Sequence, residues 1–299
     1  MKLQSPWLVA SFLTMATAHP WSRAIVDPTY FFTFGDSYSQ TGFSTTGKQP
    51  NASNPMGNPD LGIGTTTNGP NWIGYLTTSE NSTTVLSYNL AVGGATIDNS
   101  LISAYAGDVS SQIKLFEDVY STKPITAPWT SENAVFGFWI GINDIGNGFT
   151  TTPAETYTPK LISRLLSLAE TLYANGARKF LFLNVPPTSR SPFFLDQGNA
   201  TVAAHAAYLS VYNRNLKSMV EAWTKDKGED VTTVFYDSWA FMTKVLDDPT
   251  KYGFPDSTCI DDDGTSCVWW NNYHPGMKYH LLQAEDMKPL LKEGGLGGW

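Results

Sequence analysis

Cysteine is nearly absent: the 299 residues hold two, Cys259 and Cys267. With no third cysteine and no histidine at ligand spacing beside them, they do not make a zinc site. Basic charge is scarce as well, since 19 Lys and Arg stand against 27 Asp and Glu, for a formal net charge of −8. Nucleic acid and anionic membrane surfaces need a basic patch and are not expected partners. No internal apolar run reaches the roughly eighteen residues of a membrane-spanning helix. No G-x-S-x-G sequence occurs, which argues against the nucleophile elbow of an α/β-hydrolase lipase. Repeats and Ser/Thr/Pro linkers are also missing, so one catalytic-sized domain is expected over residues 19–299. What the chain does have is apolar and aromatic mass, 41% hydrophobic and 13% aromatic, enough for a sizeable core and too much for a disordered chain.

The first eighteen residues read as an address. Lys2 supplies a positive start, Trp7 to Ala18 is apolar or small, and Ala16-Thr17-Ala18 has the A-x-A form of a cleavage site. A secretory signal peptide over residues 1–18 is expected, with the mature chain opening at His19 and the protein extracellular. Three sequons, at Asn51, Asn81 and Asn199, fit a secreted glycoprotein. In an oxidising compartment Cys259 and Cys267 are expected to bridge. No sequence feature demands an oligomer, and a monomer is expected.

Five short runs rich in β-branched and aromatic residues read as buried strands: Tyr30–Phe34, Thr84–Leu90, Ala134–Ile140, Phe180–Val185 and Thr232–Tyr236. Each is nearly continuous in apolar character, as a parallel sheet covered on both faces requires. Helical patterns follow or separate them, at Asn71–Thr78, Val109–Tyr120, Glu155–Ala174, Val202–Asp226 and Met277–Lys292. In the third, Leu161, Leu165, Leu168 and Leu172 form one apolar stripe. The alternation predicts an α/β protein, a three-layer α/β/α sandwich. Thr41 to Pro70, dense in Gly, Thr, Asn and Pro, reads as a long ordered loop, either functional or a decorated surface.

The chemistry is expected beyond the carboxyl ends of the strands, where parallel sheets bind ligands. The first strand runs into Gly35-Asp36-Ser37, which places a serine at a glycine-led turn with its own N–H available to an oxyanion. A serine nucleophile needs a base. Of the four histidines, His19 is terminal and His205 and His280 fall in helical patterns. His274 sits in the loop Trp269–Gly276 just before the last helix, and is the best candidate. The second strand ends in Gly93-Gly94 and the third in Gly141-Ile142-Asn143. The N–H groups of Ser37 and Gly94 with the Asn143 amide would make a three-donor oxyanion hole.

These four blocks, FGDSYSQTGF, NLAVGGAT, GIND and WNNYHPG, resemble in order those of an SGNH hydrolase of the GDSL type. The phrases GDSYSQTGF and GPNWIGYL are similar to secreted fungal acetylesterases of carbohydrate esterase family sixteen. The resemblance implies a flavodoxin-like sheet of about five strands and hydrolysis of carboxylic esters without metal or cofactor. It implies Ser37 as nucleophile, His274 as base, and Ser37, Gly94 and Asn143 around the oxyanion. The substrate it implies is an acetylated sugar or oligosaccharide.

One position departs from the pattern. Three residues before the histidine, where an Asp is usual, stands Asn271. In a serine-protease triad, Asp→Asn costs about 10⁴ in kcat by presenting the wrong tautomer. Either Asn271 orients His274 by its carbonyl, or a backbone carbonyl does, or an acid of the run Asp261-Asp262-Asp263 folds over. Other readings are a broad-specificity GDSL lipase, a glycosidase using carboxylates such as Asp36 and Asp144, and a catalytically inactive carbohydrate-binding relative. Trp72, Trp139, Trp269 and Trp270 are open to two roles, sugar platforms or core.

Overall fold

The structure is a computed structural model that describes residues 1–2 and 27–299. The expected leader beyond Lys2, its cleavage site and His19 lie outside the described residues. Five strands form one sheet: β1 (Thr29–Gly35), β2 (Val85–Asn89), β3 (Ala134–Trp139), β4 (Lys179–Leu183) and β5 (Thr232–Tyr236). Every pairing is parallel and the order is β2-β1-β3-β4-β5. The chain moves outward one way from β1 to β2 and the other way from β3 to β5, so a crevice opens between the carboxyl ends of β1 and β3. Ligands bind at such a switch point in parallel sheets.

Apolar character runs unbroken along β1 because both its faces are covered. Its odd face turns Phe31 toward Trp72 of helix α1 (Trp72–Thr78) and toward Trp299, with ring centroids 5.9 and 5.2 Å away. Its even face turns Phe32 toward Phe116 of helix α2 (Val109–Val119) at 5.1 Å. Strand register then lines the rings up on that second face. Phe32 on β1 is flanked by Tyr88 on β2 and Phe136 on β3, and stacks on them at 4.9 and 5.2 Å. One step along, Phe34, Phe138 and Phe182 repeat the row at 5.2 and 5.3 Å. Each such pair contributes about 0.5–1.5 kcal/mol beyond the apolar area it buries.

Six further helices complete the layers among the described residues. The longer ones are α4 (Ala154–Ala174), carrying the leucine stripe inward, α6 (Asn199–Lys227) and α8 (Met277–Glu293). Shorter are α3 (Ile142–Gly148), α5 (Pro192–Leu195) and α7 (Ser238–Asp247). The sequence patterns locate the long helices closely and miss these three short ones. Helix α3 contains two glycines, an unfavourable composition. It is held by tertiary bonds: Asp144 accepts from Ile97 N at 3.1 Å, and Asn143 donates to Ala95 O at 2.9 Å. Helix α7 carried a readable signal, an Asp237 cap before apolar Phe241, Met242, Val245 and Leu246.

Cys259 and Cys267 are bonded, as expected, and close a loop ahead of α8. Asn51 and Asn199 are exposed, whereas Asn81 is half-buried and its amide donates to Thr77 O at the end of α1. Trp72, Trp139 and Trp269 are fully buried core residues, which removes them as sugar platforms; Trp270 is half-buried.

The stacked row predicts where stability is concentrated. Phe136 packs between Phe32 and Phe180 and against Trp129 and Phe116. Phe136→Ala is expected to lower unfolding free energy by about 3–5 kcal/mol in urea denaturation. A loss under about 1 kcal/mol would show that the row is not a principal support of the sheet.

Candidate active site

The site begins at the last residue of β1. Gly35 is gripped by the buried side chain of Gln112, which accepts from Gly35 N at 2.9 Å and donates to Gly35 O at 2.8 Å. A Cβ at this position would lie 2.3 Å from Trp139 O on the neighbouring strand, so only glycine fits. The chain then turns. Ser39 N and Gln40 N donate to Asp36 O, and Tyr38 N donates to the Asp36 carboxylate at 3.0 Å. Asn71 and Asn89 both donate to Ser39 O, at 2.9 and 2.6 Å. Thr66 of the long Thr41–Pro70 loop donates to Ser37 O at 2.7 Å. Ser37 therefore sits on a turn held from three directions.

His274 meets it from the opposite side. Its Nε2 lies 2.9 Å from Ser37 Oγ. The loop that carries it is a narrow hairpin in which Trp270 N donates to His274 O, and Trp269 bridges to Pro275. The Tyr38 hydroxyl donates to Tyr273 O at 2.5 Å and ties the serine turn to the histidine loop. The Thr41–Pro70 loop supports the same segment, with Met277 N donating to Thr67 O and the Asn68 amide donating to Asp262 O.

Asn271 occupies the orienting position. Its Oδ1 accepts from Tyr273 N at 2.9 Å and His274 N at 2.8 Å, and lies 3.2 Å from His274 Nδ1. Two backbone donors aimed at one atom require that atom to be the oxygen, since the NH₂ end would clash with both. Nδ1 must then carry the proton to donate to it, and Nε2 faces Ser37 as an acceptor. The acidic run does something else. Asp263 accepts from Thr265 N and Ser266 N, and Asp261 accepts from Asp263 N, so these carboxylates build the disulfide-loop turn. Among the described residues none of the three bonds His274.

The candidate oxyanion donors follow the carboxyl ends of β1, β2 and β3. Val92 N donates to Gly35 O, and the Asn143 amide donates to Ala95 O. Gly94 adopts φ +78°, a conformation that favours glycine. The N–H groups of Ser37 and Gly94 have no hydrogen-bond partner among the described residues, and one hydrogen of the Asn143 amide remains free. The strand ends therefore carry up to three neutral donors, and the Ser37 Oγ proton has an acceptor in His274 Nε2.

Burial sets the charge of the site. It pushes His274 down to about 4, and among the described residues no carboxylate opposes the shift. It raises Asp36 to about 8, against the bond from Tyr38 N, and the second Asp36 oxygen has no partner among the described residues. It raises Asp144 to about 7. Both acids are fully buried, so neither lines a cleft as a glycosidase pair would. His205 and His280 are buried in the helices, without hydrogen-bond partners among the described residues. Gln112 and Thr66 were not singled out in the sequence. A glutamine on the buried stripe of α2 was the available sign of the first, and nothing local marked the second.

Comparison with known proteins places this geometry. The profile of the family described as GDSL-like Lipase/Acylhydrolase matches residues 31–287. The chain is 41% identical to the acetylesterase of Thermothelomyces thermophilus over 281 residues, covering 93% of each. It is 23% identical to the acetylesterase of Hypocrea jecorina, covering 96% of this chain and 92% of that one. The fold resembles the crystal structure of an acetylxylan esterase from Geobacillus stearothermophilus with a TM-score of 0.52 at 14% identity, covering 91% of this chain and 96% of that one. The chain belongs to the GDSL-like lipase/acylhydrolase family and is a carboxylic ester hydrolase.

Proposed function

We propose that this protein is a secreted, monomeric serine esterase that removes acetyl groups from acetylated sugars of hemicellulose. The observation that carries the mechanism is the line Asn271 Oδ1, His274, Ser37 Oγ, with contacts of 3.2 and 2.9 Å. His274 Nε2 takes the Ser37 proton as Oγ attacks the ester carbonyl. The oxyanion is held by Ser37 N–H, Gly94 N–H and the Asn143 amide. His274 then protonates the leaving alcohol, and the same nitrogen activates water to release the acid. In the protease mutant an asparagine fails because its NH₂ meets the imidazole; here two backbone N–H groups hold the oxygen inward. That difference supports catalysis over an inactive binding role. The name of the Thermothelomyces thermophilus relative supports acetate as the acid. The leader pattern and the sequons support secretion, and no helix among the described residues is long and apolar enough to cross a membrane.

Ser37→Ala is expected to lower kcat on 4-nitrophenyl acetate by at least about 10³-fold. Asn143→Ala should cost about 10²–10³ with the nucleophile intact. Equal rates for Ser37→Ala and wild type would discard the mechanism.

The imidazole must be neutral to act as base, and burial keeps it neutral down to about pH 4. The acid limb of kcat/KM is therefore expected near pH 4, with activity lost below it and kept above. Asn271→Asp places a negative charge beside the ring, favours imidazolium, and should move that limb up by roughly one to two units. A pH–rate profile of both proteins tests this, and an unmoved limb in Asn271→Asp would remove Asn271 as the orienting group.

A further inference from the structure

A cavity of about 370 Å³ opens beside the candidate oxyanion donor Asn143 and the histidine loop. Its wall carries four carboxamides, Asn143, Asn147, Gln197 and Asn272. Its apolar part is aromatic, with Phe149, Phe193, Phe194 and Tyr273. Among the described residues no Lys, Arg, Asp or Glu lines it. The fold builds this wall deliberately onto the site: Phe193 N donates to Asn272 O at 2.8 Å, which fixes α5 to the loop that holds His274. Phe193 packs edge-on against Phe194 and Tyr273 at 5.2 and 5.4 Å, yet stays 42% exposed. An exposed phenyl braced by two other rings is a rigid platform.

Several polar groups on the wall lack internal partners. Among the described residues the Tyr273 hydroxyl and the Asn272 side chain make no hydrogen bond. Asn147 and Gln197 use only their NH₂ groups, on Ser103 O and Phe193 O, which leaves both amide oxygens as acceptors. Neutral donors and acceptors around an aromatic face suit a ring bearing several hydroxyls. They do not suit a long acyl chain, which asks for a continuous apolar channel, nor a uronate, which asks for a cation. The volume lies in the range of small-ligand sites and has room for roughly one or two sugar rings.

We propose that this cavity is the subsite for the alcohol part of the substrate, and that it takes a neutral pyranose, with Phe193 as stacking platform and Asn272 and Tyr273 as hydrogen-bonding partners. This rests on the ester-hydrolase site proposed above and names the residues that select its substrate. The acetyl carbonyl then faces Ser37 while the sugar ring lies past Asn143 toward α5.

Unacetylated xylotriose, titrated into 4-nitrophenyl acetate hydrolysis, tests the subsite without requiring it to be deacetylated. Competitive inhibition of the wild type is expected. The inhibition constant should rise roughly three- to tenfold in Phe193→Ala and in Asn272→Ala, the size of one aromatic contact or one neutral hydrogen bond. Both residues are exposed, and turnover of the nitrophenyl ester in the same assay reports that each variant is folded. No inhibition of the wild type, or equal constants in all three proteins, would overturn the subsite. Inhibition that weakens in the variants while the wild type releases no acetate from acetylated xylotriose would uphold the subsite and sink the acetyl-sugar reading instead.

Discussion

Gln112 reaches from α2 and bonds both the N–H and the C=O of Gly35, at 2.9 and 2.8 Å. Those two groups belong to the last residue of a central strand, where the ladder ends and the backbone would otherwise need water or another partner. A carboxamide carries its donor and its acceptor on two separate atoms at a fixed spacing, so one planar group can meet a backbone N–H and C=O together. By satisfying both, Gln112 lets β1 stop at a defined residue with the chain still buried. Everything in the site is counted from that stop. Ser37 is two residues on, Val92 N reaches back to Gly35 O, and Trp139 O closes against the glycine from the other side. The stacked aromatic rows keep β1 and β3 in the register that makes this closure possible.

The second dependence is electrical. A catalytic histidine usually has a carboxylate behind it, which stabilises the imidazolium and raises the ring's affinity for a proton. This chain replaces the charge with an amide whose orientation is fixed by backbone N–H groups. Orientation is preserved and the charge is given up. The ring is then easier to keep neutral, which in the proposed mechanism extends the base toward acid and gives up some stabilisation of the imidazolium.

Much of this could be read in the sequence, because the strands are apolar on both faces and the chemistry sits where they end. Turn residues and block order single out Ser37, Gly94, Asn143 and His274 as candidates, and the structure brings Ser37 and His274 to 2.9 Å. What stayed hidden depends on long-range contact. The aim of the Asn271 amide is set by the hairpin around it and is not written in the residue type. Thr66 reaches Ser37 O across 29 positions from a loop with no regular structure. Helix α3 was lost because its composition is poor and its support is tertiary, from Ile97 and Ala95. The tryptophans resisted assignment because the same ring serves a core or a surface, and only burial separates the two.

Neutrality also accounts for what lies beneath the site. Asp36 and Asp144 are fully buried and raised to about 8 and 7, so both are substantially protonated in mildly acid conditions. There they act as hydrogen-bonding shapes rather than as charges: Asp36 bonds Tyr38 N at the serine turn, and Asp144 bonds Ile97 N beyond the glycine turn. A negative charge at either place would oppose the oxyanion of the proposed mechanism, and in a low-dielectric interior that opposition would be felt over several ångströms. With His274 held at about 4, the pH range between the histidine and the two acids is one in which the resting site carries little net charge. In the proposed mechanism the oxyanion and the imidazolium would then arise as a close pair among neutral dipoles. Such a setting would favour the proposed transition state over the ground state, because donors fixed in place need no reorganisation and no fixed charge must be overcome.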